Sequence, residues 1–348
     1  MRARWMFLSC AAVMCIGHFA AGAQATDDAL DIVRPCVALE SSDLARLTAG
    51  RTIVKSIPEE DGFVATFGAR RVDADGDRLV AWIRDIARLK QGRFVESIQR
   101  FSDPPVIGDL ARLTLDDSDL LALRTCRPSE CDVKVTPAEL DRLRRDIAGA
   151  GDAWRTILQD SFRQLMLDRV QAYAAGGHRA VGQYCDGRSP SPLEAVFSSI
   201  LTRSPCLTAR LPAAVDYLKT YPRTGQSSLE SFFYWSKERF GGRPVISATH
   251  IVIIRGAGSR GQDAIVFGKQ LFATHYSNGS LNMTALVGNE RGSERYLVIL
   301  NRTNVDLLRG LFGGLTRFTM ERRLRSELSG VVDELARRIE SGPPGSSR

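Results

Sequence analysis

Residues 245–255 read VISATHIVIIR, a run in which β-branched side chains dominate. Such side chains lose little freedom on a pleated surface and more in a helix, so the run predicts a strand. Stretches 264–276, 280–287 and 296–301 have the same character. The breaks between them carry Gly256-Ala257-Gly258, Asn278-Gly279 and Gly288-Asn289, which tolerate the positive φ of tight reversals. Four strands on short connections predict an antiparallel meander. After Asn301 the apolar period lengthens. Beyond Gly310, Gly313 and Gly314, residues 315–339 place Leu324, Leu328, Val331, Leu335 and Ile339 at helical spacing, with arginines over much of the remaining surface. That stripe needs an apolar partner, and the preceding sheet is the nearest one.

Upstream, residues 52–57 and 63–72 read as strands around an acidic turn, 77–90 as a helix, and 94–101 as another strand. Residues 116–123 form a short helix. Thr136-Pro137-Ala138-Glu139 combines an N-cap, a first-turn proline and a capping-box glutamate. Asp152 is placed as the cap of a helix running to about 175, ended by Gly176-Gly177. Ser191-Pro192-Leu193-Glu194 forms a second capping box, and 211–221 and 229–240 read as further helices. Strands, then helices, then strands again predict an α+β fold: an antiparallel sheet gripping a long C-terminal helix, with a helical insertion at about 104–240.

The chain opens with Arg2 and Arg4 before an apolar run from Trp5 to Ala21, and Ala21-Gly22-Ala23 supplies a small-residue cleavage site. Residues 1–23 therefore read as a signal peptide, against the competing reading of an uncleaved anchor. Residues 24–50 form an N-terminal segment, 51–340 one domain, and 341–348 a disordered tail. The expected location is periplasmic or secreted. Removing residues 1–23 takes away two arginines and no acid, so the net charge falls from +7 to +5. No basic run interleaved with aromatics follows, so nucleic-acid binding has no support. Peripheral attraction to an anionic membrane surface fits the mild basic bias without being specified by it.

Five cysteines follow the signal segment: Cys36, Cys126, Cys131, Cys185 and Cys206. In an oxidising compartment disulfides are expected. Cys126 and Cys131 flank a turn-like loop and form one expected pair. Cys185 and Cys206, around a Ser-Pro-Ser-Pro loop, form the other, leaving Cys36 as the odd thiol. No second paired-cysteine motif or suitably spaced histidines accompany them, so neither a metal nor a cofactor is expected.

The segments VATFGARRVDADGDRLVAWIRDI and YLVILNRTNVDLLRGLFGGLTRFTMERRLRSELSGVVDELARRI are similar to the opening strand and helix, and to the last strand, glycine turn and gripping helix, of START-like helix-grip domains. The resemblance covers the two ends of the mature chain; the helical insertion, the disulfide-capable loop and the export signal depart from the family's layout. It implies a cavity between sheet and C-terminal helix that holds a hydrophobic small molecule or lipid. It carries over no catalytic residue.

His250, Val252 and Ile254 alternate onto one face of the first strand; with His275, Tyr276, Trp235 and Leu328 they make up the expected ligand-binding set. A strand histidine can bond a ligand head group or serve as acid or base near neutral pH, but it is also commonly a satisfied interior residue. Phe232-Phe233-Tyr234-Trp235 fits a pocket mouth, a membrane contact or the docking face of a helix. No Gly-x-Ser-x-Gly elbow or His-Glu-x-x-His helix is present. The leading expectation is an exported binding protein. The alternatives are an envelope hydrolase using His250 or His275, and an envelope interaction protein without a small ligand.

Overall fold

In the computed structural model the described residues are 29–345, apart from 61, 93, 129, 183, 185–191, 224–228, 240–241, 257–263, 289–293 and 307–312. In the C-terminal helix, side chains are described at Arg322 and from Arg325 onward. The expected signal segment and tail residues 346–348 lie outside this set. Among the described residues, no helix is long and apolar enough to cross a membrane.

Among the described residues eight strands form a single sheet: β1 (Ile53–Ile57), β2 (Phe63–Val72), β3 (Val95–Arg100), β4 (Glu230–Glu238), β5 (Val245–Arg255), β6 (Ala264–Ala273), β7 (Ser277–Gly288) and β8 (Arg295–Val305). Their spatial order is β1-β2-β8-β7-β6-β5-β4-β3, antiparallel throughout. The predicted meander is β5 to β8. β6 stops at Ala273 rather than 276 because Tyr276 takes a φ of 65°, which no extended strand accommodates.

Ten α-helices accompany the sheet among the described residues. They are α1 (Ser41–Thr48), α2 (Gly76–Arg84), α3 (Ile86–Leu89), α4 (Asp117–Thr125), α5 (Pro137–Asp146), α6 (Trp154–Gly176), α7 (Leu193–Thr202), α8 (Pro205–Arg210), α9 (Pro212–Thr220) and α10 (Gly313–Glu340). The expected helix over 77–90 is two, because the chain bends at Asp85, whose carboxylate accepts from the Arg88 amide. The Thr136 capping box is formed: its hydroxyl accepts from the Glu139 amide at 3.1 Å, and Glu139 accepts from the Thr136 amide at 2.6 Å. Asp152 caps nothing; it sits inside a 3-10 turn, Gly151–Ala153, that leads into α6. Ser191, of the second expected box, lies outside the described residues.

The largest correction concerns the helix expected over 229–240: Glu230–Glu238 form strand β4, and residue 240 lies outside the described residues. Phe232 and Tyr234 point to one face of the sheet, Phe233 and Trp235 to the other, and all four are buried. A strand covered on both faces is apolar at every position, so its aromatic run imitates a helical stripe.

Helices cover both faces. On one, α10, α2 and α3 pack against Ile251, Ile253, Val266, Leu286, Leu297 and Ile299. There the stripe of α10 runs through Leu328, Val332, Leu335, Ala336 and Ile339, while Val331, expected in it, is 51% exposed. A Cβ added to Gly68 of β2 would lie 2.7 Å from Val332 Cγ2, so the glycine lets this helix approach the sheet. On the other face, the N-terminal segment and α1 join α4 to α9. Cys36 bonds Cys206 there, with a Cα–Cα distance of 5.3 Å, which overturns the expected Cys185–Cys206 pair and the free Cys36. Cys185 lies outside the described residues. Cys126 and Cys131 are bonded as expected.

Candidate functional site

The residues expected to share one site are divided by the sheet. Trp235, His250, Val252 and Ile254 face the insertion helices, whereas Leu328 lies on α10 against the opposite face. His275 and Tyr276 sit in the turn between β6 and β7. Trp235 is fully buried and donates its indole N–H to the Asp109 carbonyl at 2.8 Å.

His250 occupies a closed cluster. Its register partner on β6 is Lys269, and on β4 it is Phe233. His250, Lys269 and Tyr173 are fully buried, and His178 nearly so. The Lys269 amine donates to the Tyr173 hydroxyl at 3.0 Å and to the Leu218 carbonyl at 3.3 Å, touches His178 Nε2, and lies 4.0 Å from the Phe197 ring centroid. Tyr173 also reaches His250 Nδ1 at 3.4 Å, while Tyr221 and Phe233 pack on the His250 ring at centroid distances of 4.4 and 4.8 Å. His250 Nε2 is buried without a partner among the described residues.

No carboxylate pairs with Lys269 among the described residues. Lys55, Lys90, Lys134 and Lys237 each have one, in Asp43, Glu238, Asp306 and Asp116, and Lys219 is exposed. Burial therefore pushes the Lys269 amine well below the ordinary lysine range. Burial and the neighbouring amine push His178 down to about 3 and move His250 well below its usual value. Tyr221 is pushed up to about 12, chiefly by burial. Burial disfavours the charged form of each of these groups, and aromatic rings enclose the cluster.

His275 is satisfied on both sides. Its Nδ1 donates to the Asp132 carbonyl at 2.7 Å, and its Nε2 lies 3.1 and 3.2 Å from the two carboxylate oxygens of buried Asp119. Neither nitrogen is left free for a substrate. Asp132 follows Cys131, so the small disulfide loop helps to place that carbonyl. Tyr276 is 37% exposed, and its hydroxyl accepts from the Arg243 amide at 3.4 Å.

The face toward α10 holds a second arrangement. Strand pairing lines up Ser56, Thr66, Asn301, Asn282, Gly268, Ile251 and Phe232 across β1, β2, β8, β7, β6, β5 and β4. Thr66 lies two residues before Gly68, whose close approach to Val332 fixes this as the α10 side. The adjoining row on the same face includes Thr303 and Ser280, paired across β8 and β7, and Gln270 and Thr249, paired across β6 and β5. On the other side of the central row stands Thr284. Ser280 donates to the Asn301 carbonyl oxygen at 3.2 Å, Thr303 to Ser280 at 2.9 Å, and Thr284 to the Asn282 carbonyl oxygen at 3.0 Å. Ser56 Oγ is buried without a partner among the described residues. Asn282, Asn301, Ser280, Thr303 and Gln270 are half-buried.

Reading by residue type missed this patch and Lys269. The signal for the patch was present: Ser280, Asn282 and Thr284 alternate with Leu281, Met283 and Ala285, as Asn301 and Thr303 alternate with Leu300 and Arg302. For Lys269 it was a lone charge inside AIVFGKQLFA. An opening of about 480 Å³ is lined by Asp85, Arg88, Gln91, Glu96, Ser97 and Arg112 among others; it lies between α3 and edge strand β3, away from both arrangements. Compared with known proteins, the sequence matches no family model and no curated protein.

Proposed function

We propose that this is an exported START-like helix-grip protein that holds a small molecule or lipid between its sheet and α10. The observation carrying this reading is the pairing of β2 with β8. It sets the opening strand, with α2 and α3 after it, beside the final strand, with α10 after it. Those are the two ends on which the family resemblance rests. Two disulfides fit passage into an oxidising compartment. The hydrolase alternative has less support, because His250 is enclosed without a carboxylate beside it and both His275 nitrogens are engaged.

The test is native mass spectrometry of protein purified from the exported fraction, followed by organic extraction. A co-purifying small molecule, displaced when bulky residues are placed on the α10 side of the sheet, is the expected result. A bare protein mass, together with no thermal shift from a panel of lipids and small amphiphiles, would remove the reading.

A further inference from the structure

On the reading of the sheet–α10 interior as a ligand site, the chemistry of its strand floor narrows what it takes. We infer that the ligand presents an uncharged, hydroxyl-rich head, of the kind found in an alkyl glycoside or an acylated polyol, to the row Ser56–Thr66–Asn301–Asn282.

The polar rows of the floor carry no charge; the Arg100 guanidinium lies at the far end, 4.0 Å from the Phe232 ring centroid. Ser56, Thr66, Thr249, Ser280, Thr284, Thr303, Asn282, Asn301 and Gln270 are all neutral, and strand pairing sets them on adjacent rows of one face. The charged residues nearest in sequence, Lys269 and Arg302, belong to the alternate positions and face the insertion helices. An anionic or cationic head would leave water without an opposite charge on these rows, at a cost far above that of a neutral polar group.

Hydroxyls and primary amides offer donors and acceptors together, which is what a hydroxylated head requires. Part of that capacity is unused. The carbonyl oxygens of Asn282 and Asn301 accept from Thr284 and Ser280, leaving their Nδ2 donors without an acceptor among the described residues. The hydroxyls of Thr66 and Thr249 have no partner among the described residues, and Ser56 Oγ is buried and unbonded. Burying polar atoms unpaired is unfavourable unless something bonds them, so the orphaned Ser56 hydroxyl is an observation independent of the row itself.

Shape agrees with this placement. At Gly268 an added Cβ would meet Ile251 Cδ1 at 3.5 Å, Thr249 Cγ2 at 3.8 Å and Asn282 Cβ at 3.9 Å, so the missing side chain leaves a shallow depression between the amides and Ile251. The row continues into Ile251, which gives an apolar tail a surface beside the polar head, and ends at Phe232, whose ring the Arg100 guanidinium covers.

The experiment uses three probes with the same eight-carbon chain: n-octyl β-D-glucoside, octanoate and octylammonium. Binding to the full mature protein is followed by calorimetry and native mass spectrometry below micelle-forming concentrations. The glucoside is expected to bind at least tenfold more tightly than either ion. Asn282→Leu and Asn301→Leu should each weaken it about tenfold, and Lys269→Met, on the opposite face, should leave its affinity unchanged. Thermal melts check that each variant folds. Should a leucine variant fail to fold, Asn282→Asp keeps the shape and adds a charge, and should shift preference from the glucoside toward octylammonium. Equal binding of the three probes, or asparagine variants that bind like wild type, would overturn the neutral-head assignment while leaving the ligand site standing. If no octyl probe binds, both the assignment and the helix-grip reading fall.

Discussion

The two faces of the sheet treat polar groups in opposite ways. Toward the insertion, Lys269, His178 and His250 are shut beneath α6, α7 and α9, where burial works against their charged forms. Toward α10, neutral hydroxyls and amides lie half-buried on the strands, some with hydrogen-bonding capacity unspent. Titratable residues attract attention as candidate chemistry, yet here they are packed like core. The chemically quieter side chains occupy the face toward α10, with part of their hydrogen-bonding capacity unspent.

The disulfides give the largest expected difference between the faces. Both lie on the insertion side, and Cys36–Cys206 closes a separation of 170 residues against 5 for Cys126–Cys131. Chain-entropy scaling assigns about 5 kcal/mol to the long loop and about 2 kcal/mol to the short one. A Cys36→Ala/Cys206→Ala variant should therefore lose more stability in urea than Cys126→Ala/Cys131→Ala. Hydrogen exchange should rise first in α8 and α9 while α10 keeps its protection. Equal losses, or α10 opening first, would show that the two faces are not separately secured.

Acid and base probe the closed cluster. His178, lowered to about 3, releases its proton on folding, so between about pH 3 and its ordinary value of 6.5 the unfolded chain binds more protons and stability rises with pH. Lys269, also depressed, extends that rise toward its ordinary value of 10.5. Above the range in which His178 titrates, the lysine carries this gain by itself. Lys269→Met should abolish that gain and raise stability at pH 7, where the amine has no carboxylate to offset its burial. A wild-type urea midpoint that is flat from pH 7 to 9 would mean that the amine folds in its charged form.

The smallest effect separates the two ends of the α10 face. Gly68→Ala drives a methyl into Val332 and should cost about 1–2 kcal/mol through overpacking. Gly268→Ala meets only ordinary contacts and should stay within about 0.5 kcal/mol of wild type in the same melts. If the two cost the same, the contrast between a tight apolar end and a roomier polar end disappears.

Much of the architecture was legible in the chain. VISATHIVIIR forms β5 over its whole length, β2 spans the expected 63–72, and the Thr136 box starts α5. Misreadings arose where burial on two sides erased periodicity, as in β4, or where a one-residue shift in a 3.6-residue repeat moved the buried stripe from Val331 to Val332. Disulfide pairing is set by which loops meet in space, so nothing local linked Cys36 with Cys206. The α10-side patch escaped notice because nothing local links Asn282 with Asn301. Their common face emerges only once β7 and β8 are in register.

Strand β8 gives the order of synthesis a consequence. β2 bonds only to β1 on one side and β8 on the other, so the hairpin made first has no link to the remaining strands until residues 295–305 have been added. A ribosome must complete most of the chain before the sheet can close, and any fragment stopping short of Arg295 presents two incomplete sheets with open edges.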